Sequence, residues 1–309
     1  MTELRQALAD YLQLRRSLGH KMAEAACLLP DFVAFMHERG EETVTTAAAL
    51  AWMKAAEPDV VTTLSPRRIT AVRGFARYLS GIDPATEIPP LGLVPYRQRW
   101  RPPFLFSDTD ISAVTAEASR LAQPLRAATY RTLIGLLSCT GLRIGEAIKL
   151  DGDDIDWAEG VVLIRETKFG KSRLVPLHET TTAALREYAT LRDQISPKPK
   201  DPAFFISLAA RRLIYAVVAE TFRTLITAAG VGIGAPVRPR LHDLRHTFAI
   251  RALLHWYRTE DNVQARIPSL STYMGHREPA HTYWYLSAAP ELLALAAARR
   301  EGIGKAARS

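Results

Sequence analysis

Asp83-Pro84-Ala85-Thr86-Glu87-Ile88-Pro89-Pro90-Leu91-Gly92-Leu93-Val94-Pro95-Tyr96-Arg97-Gln98-Arg99-Trp100-Arg101-Pro102-Pro103 divides this chain. Its six prolines remove backbone donors and hold φ near its proline value, so neither a helix nor a central strand can run through it. With Arg97, Arg99 and Arg101 interleaved, the stretch reads as a semi-rigid basic linker over residues 83–103. A first domain is expected at residues 1–82 and a second at 104–309. A chain of 309 residues that is 48% apolar supports two cores more readily than one.

Upstream of the linker the pattern is helical. Leu4, Leu8, Tyr11, Leu12 and Leu18 recur at helix spacing, and Gly19 offers a stop. Further helices are expected over residues 22–39 and 45–56. A fourth opens with Ser65 as N-cap and Pro66 at the first helical position, then aligns Ile69, Val72, Phe75, Ala76 and Leu79. Arg67, Arg73 and Arg77 spread along its adjoining flank. They are candidates for contacts to a polyanion backbone, the alternative being an ordinary solvated face.

Downstream, Ser107 and Asp110 form a possible capping box, and helical segments follow to about residue 150. Residues 161–166 and 172–176 are β-branched runs separated by a loop containing Gly170, the pattern of a hairpin. Helices resume from His178, and an Ala/Leu-rich helix is expected over residues 290–300. The fold class is therefore mostly α with a small antiparallel sheet.

The net charge of +8, from 40 Lys and Arg against 32 Asp and Glu, favours a polyanionic partner. Cys27 and Cys139 are too few for a disulfide framework or a clustered metal site, and Cys139 reads as a small core residue. No run of eighteen apolar residues and no signal-peptide pattern occurs, so a soluble cytoplasmic protein is expected.

Three short boxes carry the chemistry: Thr140-Gly141-Leu142-Arg143-Ile144-Gly145-Glu146, then His242-Asp243-Leu244-Arg245-His246, then Met274-Gly275-His276 with Tyr285 nine residues beyond the histidine. Alone, each is weak. An arginine in a helix-start turn is commonly a surface charge, and Tyr285 in Thr282-Tyr283-Trp284-Tyr285 could be a core aromatic.

Taken together and in this order, the boxes resemble the tyrosine recombinase, or phage integrase, family. The resemblance covers about residues 104–295, and for the N-terminal region it extends to architecture only, a helical SAM-like core-binding domain followed by a linker. It implies an active site of Arg143, Lys168, His242, Arg245, His276 and Tyr285, with Glu146 in support. Lys168 is carried over because it lies between two strands ending in Ser172-Arg173-Leu174-Val175-Pro176.

The chemistry explains why such a set is needed. A phosphodiester is an anion whose transition state gathers further charge on its non-bridging oxygens, and two planar guanidiniums, Arg143 and Arg245, can clamp them. The Tyr285 phenol must shed its proton as it attacks phosphorus, His242 is the candidate acceptor, and the resemblance makes Lys168 the acid for the departing 5′ oxygen. His276 would hydrogen-bond the phosphate and Glu146 would orient neighbouring basic groups. A 3′-phosphotyrosyl bond conserves the ester for rejoining, with no cofactor and no metal.

Tyr283 competes as nucleophile but would point roughly opposite Tyr285 on a helix. The 31 residues from Arg245 to His276 exceed the expected spacing, which suggests an insertion around residues 257–267. His246, His255 and His281 make no convincing metal site. The resemblance implies double-stranded DNA as partner, a free monomer that becomes a tetramer on paired sites, and possible companion recombinases. A type IB topoisomerase-like enzyme and a catalytically inactive DNA-binding accessory protein are the alternatives.

Overall fold

The computed structural model describes residues 2–56, 64–94, 102–165, 172–259, 262–276, 282–285 and 291–295. Lys168, Arg97, Arg99 and Arg101 lie outside the described residues. The chain divides into two compact units, Met1–Trp100 and Arg101–Ser309.

The first unit contains helices α1 (Thr2–Ser17), α2 (Ala23–Glu38), α3 (Thr46–Ala56) and α4 (Leu64–Leu79). Leu8, Tyr11 and Leu12 of α1 and Ile69, Val72, Phe75, Ala76 and Leu79 of α4 are buried as their spacing predicts. They meet Phe32, Val33 and Met36 of α2 and Trp52 of α3, each side chain contributing roughly 1.5–3 kcal/mol on leaving water. Leu18 falls past the end of α1 and is exposed. The Trp52 indole donates to Asp31 Oδ2 at 2.9 Å, and the Arg68 guanidinium lies 4.7 Å from its ring centroid.

Helix α4 begins one residue before Ser65, which is therefore its first-turn neighbour rather than its cap. Pro66 is the third helical residue rather than the first, still within the first turn, where its missing N–H has no helical acceptor. Arg73 donates to the carbonyls of Pro89 and Pro90 at 2.7 and 2.8 Å, holding the start of the proline stretch on α4. Arg67 pairs with Glu24 at 3.4 Å across an exposed surface, an arrangement that contributes little to stability.

In the second unit, helices α5 (Asp108–Ser119), α6 (Pro124–Thr140) and α7 (Ile144–Lys149) precede a short 3₁₀ turn and strands β1 (Ile155–Asp156), β2 (Val161–Ile164) and β3 (Arg173–Pro176). Helices α8 (Glu179–Ile195), α9 (Tyr215–Ala228), α10 (Leu241–Thr259) and α11 (Val263–Met274) follow. The capping box at α5 is reciprocal: the Asp110 N–H donates to Ser107 Oγ at 3.0 Å, and the Ser107 N–H to Asp110 Oδ2 at 2.8 Å.

The sheet is antiparallel in the order β1-β2-β3, with Val162 opposite both Ile155 and Val175. Alternation buries Val162, Ile164 and Val175 and turns Leu174 to solvent. Only β1, two residues long, was unexpected. Within the segment expected to hold extra length, residues 257–259 end α10, Asn262 caps α11 and residues 263–267 begin it, while residues 260 and 261 are not described. Among the described residues no helix is long and apolar enough to cross a membrane.

Candidate active site

Helix ends build the site. Helix α6 stops because Gly141 adopts φ +62°, and its N–H bonds the Leu137 carbonyl at 3.0 Å. A Cβ on Gly141 would lie 2.5 Å from Phe248 Cδ1, so glycine is required by conformation and by space. We predict that Gly141→Ala lowers stability by about 2–4 kcal/mol, combining left-handed strain with overpacking. An unchanged urea midpoint would refute this.

The turn after Gly141 delivers Arg143 as the N-cap of α7. Its N–H donates to Glu146 Oε2 at 3.0 Å and its guanidinium to Glu146 Oε1 at 2.7 Å. Arg143 and Glu146 are thus joined by local geometry, three residues apart.

Helix α11 ends in a Schellman turn, in which Gly275 (φ +65°) bonds the Thr272 carbonyl and His276 bonds the Ser271 carbonyl, both at 2.9 Å. Three consecutive carbonyls at this end, lacking helical partners, accept from three guanidiniums drawn from three parts of the chain. Arg173 Nε donates to Tyr273 at 2.8 Å, Arg245 Nη2 to Met274 at 2.6 Å and Arg143 Nη2 to Gly275 at 3.1 Å. The negative end of the helix dipole favours cations there. Arg245 also donates to the Gly141 carbonyl at 2.7 Å, so one side chain ties the first box to the third.

Arg173 was missed as a site residue. It donates to Glu146 through both terminal nitrogens, at 3.2 and 2.8 Å. A signal existed: Arg173 lies two residues before buried Val175 on the same strand face, and an inward arginine needs an acid.

The charges set the titration behaviour. Glu146 is held down at about 2 because hydrogen bonds and charge from Arg173 and Arg143 outweigh the burial that opposes them. Arg245 is only 2% exposed, and burial together with the Arg143 charge lowers it to about 10, which leaves it cationic at neutral pH.

His242 is exposed to solvent. Desolvation by the surrounding protein, then the guanidiniums of Arg245, Arg143 and Arg240, push it down to about 4. His246 falls to about 3, through burial and neighbouring charge. Both are therefore neutral at pH 7.

Tyr285 is 3% exposed. His246 lies against its ring with centroids 5.5 Å apart, and His276 stacks at 6.0 Å. His276 is itself aligned by Thr282, whose hydroxyl lies 2.7 Å from Nδ1. Burial raises the Tyr285 phenol, and the Arg245 guanidinium that hydrogen-bonds it pulls it partly back.

Tyr283 points elsewhere: it is 42% exposed, and its hydroxyl donates to Gln264 at 3.3 Å. His246 is in ring contact with His242 as well, at 4.6 Å. Cys139 departs from its expected place in the core; it is exposed on α6 with its sulfur 3.5 Å from the Thr181 hydroxyl. Among the described residues no group of three His, Cys, Asp or Glu side chains could hold a metal.

Residues 110–291 match the model of the phage integrase family. This chain belongs to that family. Its relatives include y4rB of Sinorhizobium fredii (strain NBRC 101917 / NGR234), named as an integrase/recombinase, which is 42% identical over 313 residues, spanning 97% of this chain and 98% of the relative. The tyrosine recombinase XerC of Mycobacterium sp. (strain KMS) is 30% identical over 304 residues, covering 92% and 94%. In fold, the chain is similar to the Tn1549 transposon integrase solved with transposon right end DNA, with a TM-score of 0.66 over 96% of this chain and 99% of that one at 16% identity. The XerH site-specific recombinase bound to a palindromic difH substrate gives a TM-score of 0.61 over 84% and 73%, at 19% identity. This tyrosine recombinase of the integrase family carries its arginine, histidine and tyrosine boxes on helix ends of the second unit.

The depressed histidines predict an acid-labile site. Their folded pKa values lie below the ordinary value of 6.5, so between about 3 and 6.5 the unfolded chain binds more protons. The stability from keeping them neutral is complete above about 6.5 and is lost as pH falls through that window. His246→Phe is expected to flatten the fall in urea midpoint between pH 7 and pH 5; an equal fall in wild type and variant would refute the assignment to His246.

Proposed function

We propose that the second unit breaks and rejoins duplex DNA through a 3′-phosphotyrosyl intermediate on Tyr285. The observation that carries this reading is a buried tyrosine in ring contact with the neutral His246 and hydrogen-bonded by Arg245, with Arg143 and Arg245 both bonded to carbonyls at the end of α11. An entering phosphate competes with the phenol for Arg245, and Arg143, with its side chain 35% exposed, meets the same anion from the solvent side.

Tyr285 Oη then bonds to phosphorus and its proton passes to a neutral imidazole. His242 is the acceptor in this reading, with His246 in ring contact with both it and the tyrosine. The bond from phosphorus to the 5′ oxygen breaks, and that oxygen takes a proton from Lys168. His276 donates to a non-bridging oxygen. Rejoining runs the steps backwards with a second 5′ hydroxyl, so no external energy source is consumed.

The first unit supplies backbone contacts through its basic flank at Arg67 and Arg77, together with Arg97, Arg99 and Arg101, while Arg73 organises the proline stretch. Such contacts release counterions, so binding weakens steeply with salt. A tetramer on two paired sites, in the cytoplasm, follows from the same reading.

The test uses a duplex recovered by binding selection from a randomised library and nicked beside the cleavage position. Wild-type protein is expected to form a gel-stable covalent adduct at the 3′ side of the break. Saturated specific binding with no adduct would leave only a DNA-binding protein.

A further inference from the structure

We propose that Arg173 is a positioning residue of this site: it occupies Glu146 and the end of α11 so that the charge of Arg143 remains available to an anion. The proposal rests on the reading of the site given above. Glu146 offers two oxygens and each is shared. Oε1 accepts from Arg143 Nη1 at 2.7 Å and Arg173 Nη1 at 3.2 Å, and Oε2 accepts from the Arg143 N–H at 3.0 Å and Arg173 Nη2 at 2.8 Å. The carboxylate thus takes its bidentate partner from Arg173, whose side chain is 11% exposed, whereas that of Arg143 is 35% exposed.

Charge counting shows what this arrangement provides. Arg143, Arg173 and Arg245 contribute three positive charges against the single negative charge of Glu146, a surplus of two. A phosphodiester carries one negative charge and its transition state gathers more. Without Arg173 the surplus falls to one, and Glu146, bonded to Arg143 alone, draws that guanidinium into a closed pair.

Arg173 also fixes where the clamp stands. Its Nε holds the Tyr273 carbonyl at 2.8 Å, one residue before the carbonyl that Arg245 holds and two before the one that Arg143 holds. A Cβ on Gly275 would lie 2.7 Å from Arg173 Nη1, so the guanidinium packs directly on the turn that presents His276.

Adduct formation on the selected nicked duplex, measured in a single turnover with the full chain, separates positioning from simple folding. Arg173→Met is expected to slow the adduct step about 100-fold at saturating protein, with duplex Kd changed less than threefold. Adding Glu146→Gln frees Arg143 and should restore at least a tenfold gain over Arg173→Met, whereas a merely structural arginine would make the double variant no faster. Arg173→Met within threefold of wild type, or a double variant no faster than it, overturns the proposal. A second readout needs no cleavage: hydrogen exchange at the Gly275 and His276 amides should accelerate at least tenfold in Arg173→Met. Unchanged exchange overturns the proposal whether or not wild type cleaves, while accelerated exchange beside a wild type that forms no adduct supports it and overturns the phosphotyrosyl reading alone.

Discussion

Tyr285→Phe is expected to abolish the covalent adduct, a loss of roughly 10⁴-fold or more, while duplex affinity stays within a factor of about two. The substitution removes one oxygen from a ring that is 3% exposed and packed by His246, His276 and Trp284. Those ring contacts survive in phenylalanine. The hydrogen bond to Arg245 does not, which costs about 1 kcal/mol of stability or a little more. Tyr283→Phe is the control: its hydroxyl donates to exposed Gln264 of α11, so adduct formation should remain within threefold of wild type. If Tyr283→Phe abolishes the adduct and Tyr285→Phe does not, the nucleophile is misassigned.

Arg245→Met is expected to fail twice. At 2% exposure the guanidinium satisfies the Gly141 and Met274 carbonyls, and methionine leaves both without that donor in the protein interior. The loss of two charge-assisted bonds destabilises the second unit by roughly 3–5 kcal/mol. Adduct formation should fall about 10³-fold even at temperatures where the variant stays folded, because a preorganised cation has gone from the site of developing charge. Arg245→Lys separates the two effects. One ammonium can reach either carbonyl but lacks the fork that spans both, so charge is kept and geometry lost. Partial recovery of stability with activity still at least tenfold down is the expected outcome, and full activity in Arg245→Lys would show that the fork is dispensable.

Much of the architecture was legible because local spacing decides it. The apolar face of α4, the reciprocal cap of Ser107 and Asp110, and the hairpin pairing Val162 with Val175 all follow from periodicity and cap chemistry over a few residues. The family boxes were legible for a related reason: Gly141 and Gly275 stop helices by adopting positive φ, and each stop sets a candidate site residue within one or two residues of it. The reading ran out where only length was available: 31 residues separate Arg245 from His276, and spacing by itself does not say how they fold. In the structure, residues 257–259 close α10 and residues 263–267 open α11.

Sequence alone therefore determined the helical faces, the placement of the proline stretch and the identity of Arg143, Arg245, His276 and Tyr285 as candidates, since these depend on neighbours in the chain. Tertiary structure decided which groups meet. Arg143 joins Gly275 across 132 residues, Arg173 joins Tyr273 across 100, and Arg245 joins Gly141 across 104. No local pattern encodes a partner at that separation. Carbonyls at the end of α11 that the helix leaves without partners had to find donors, and the three guanidiniums that the fold brought within reach became one site.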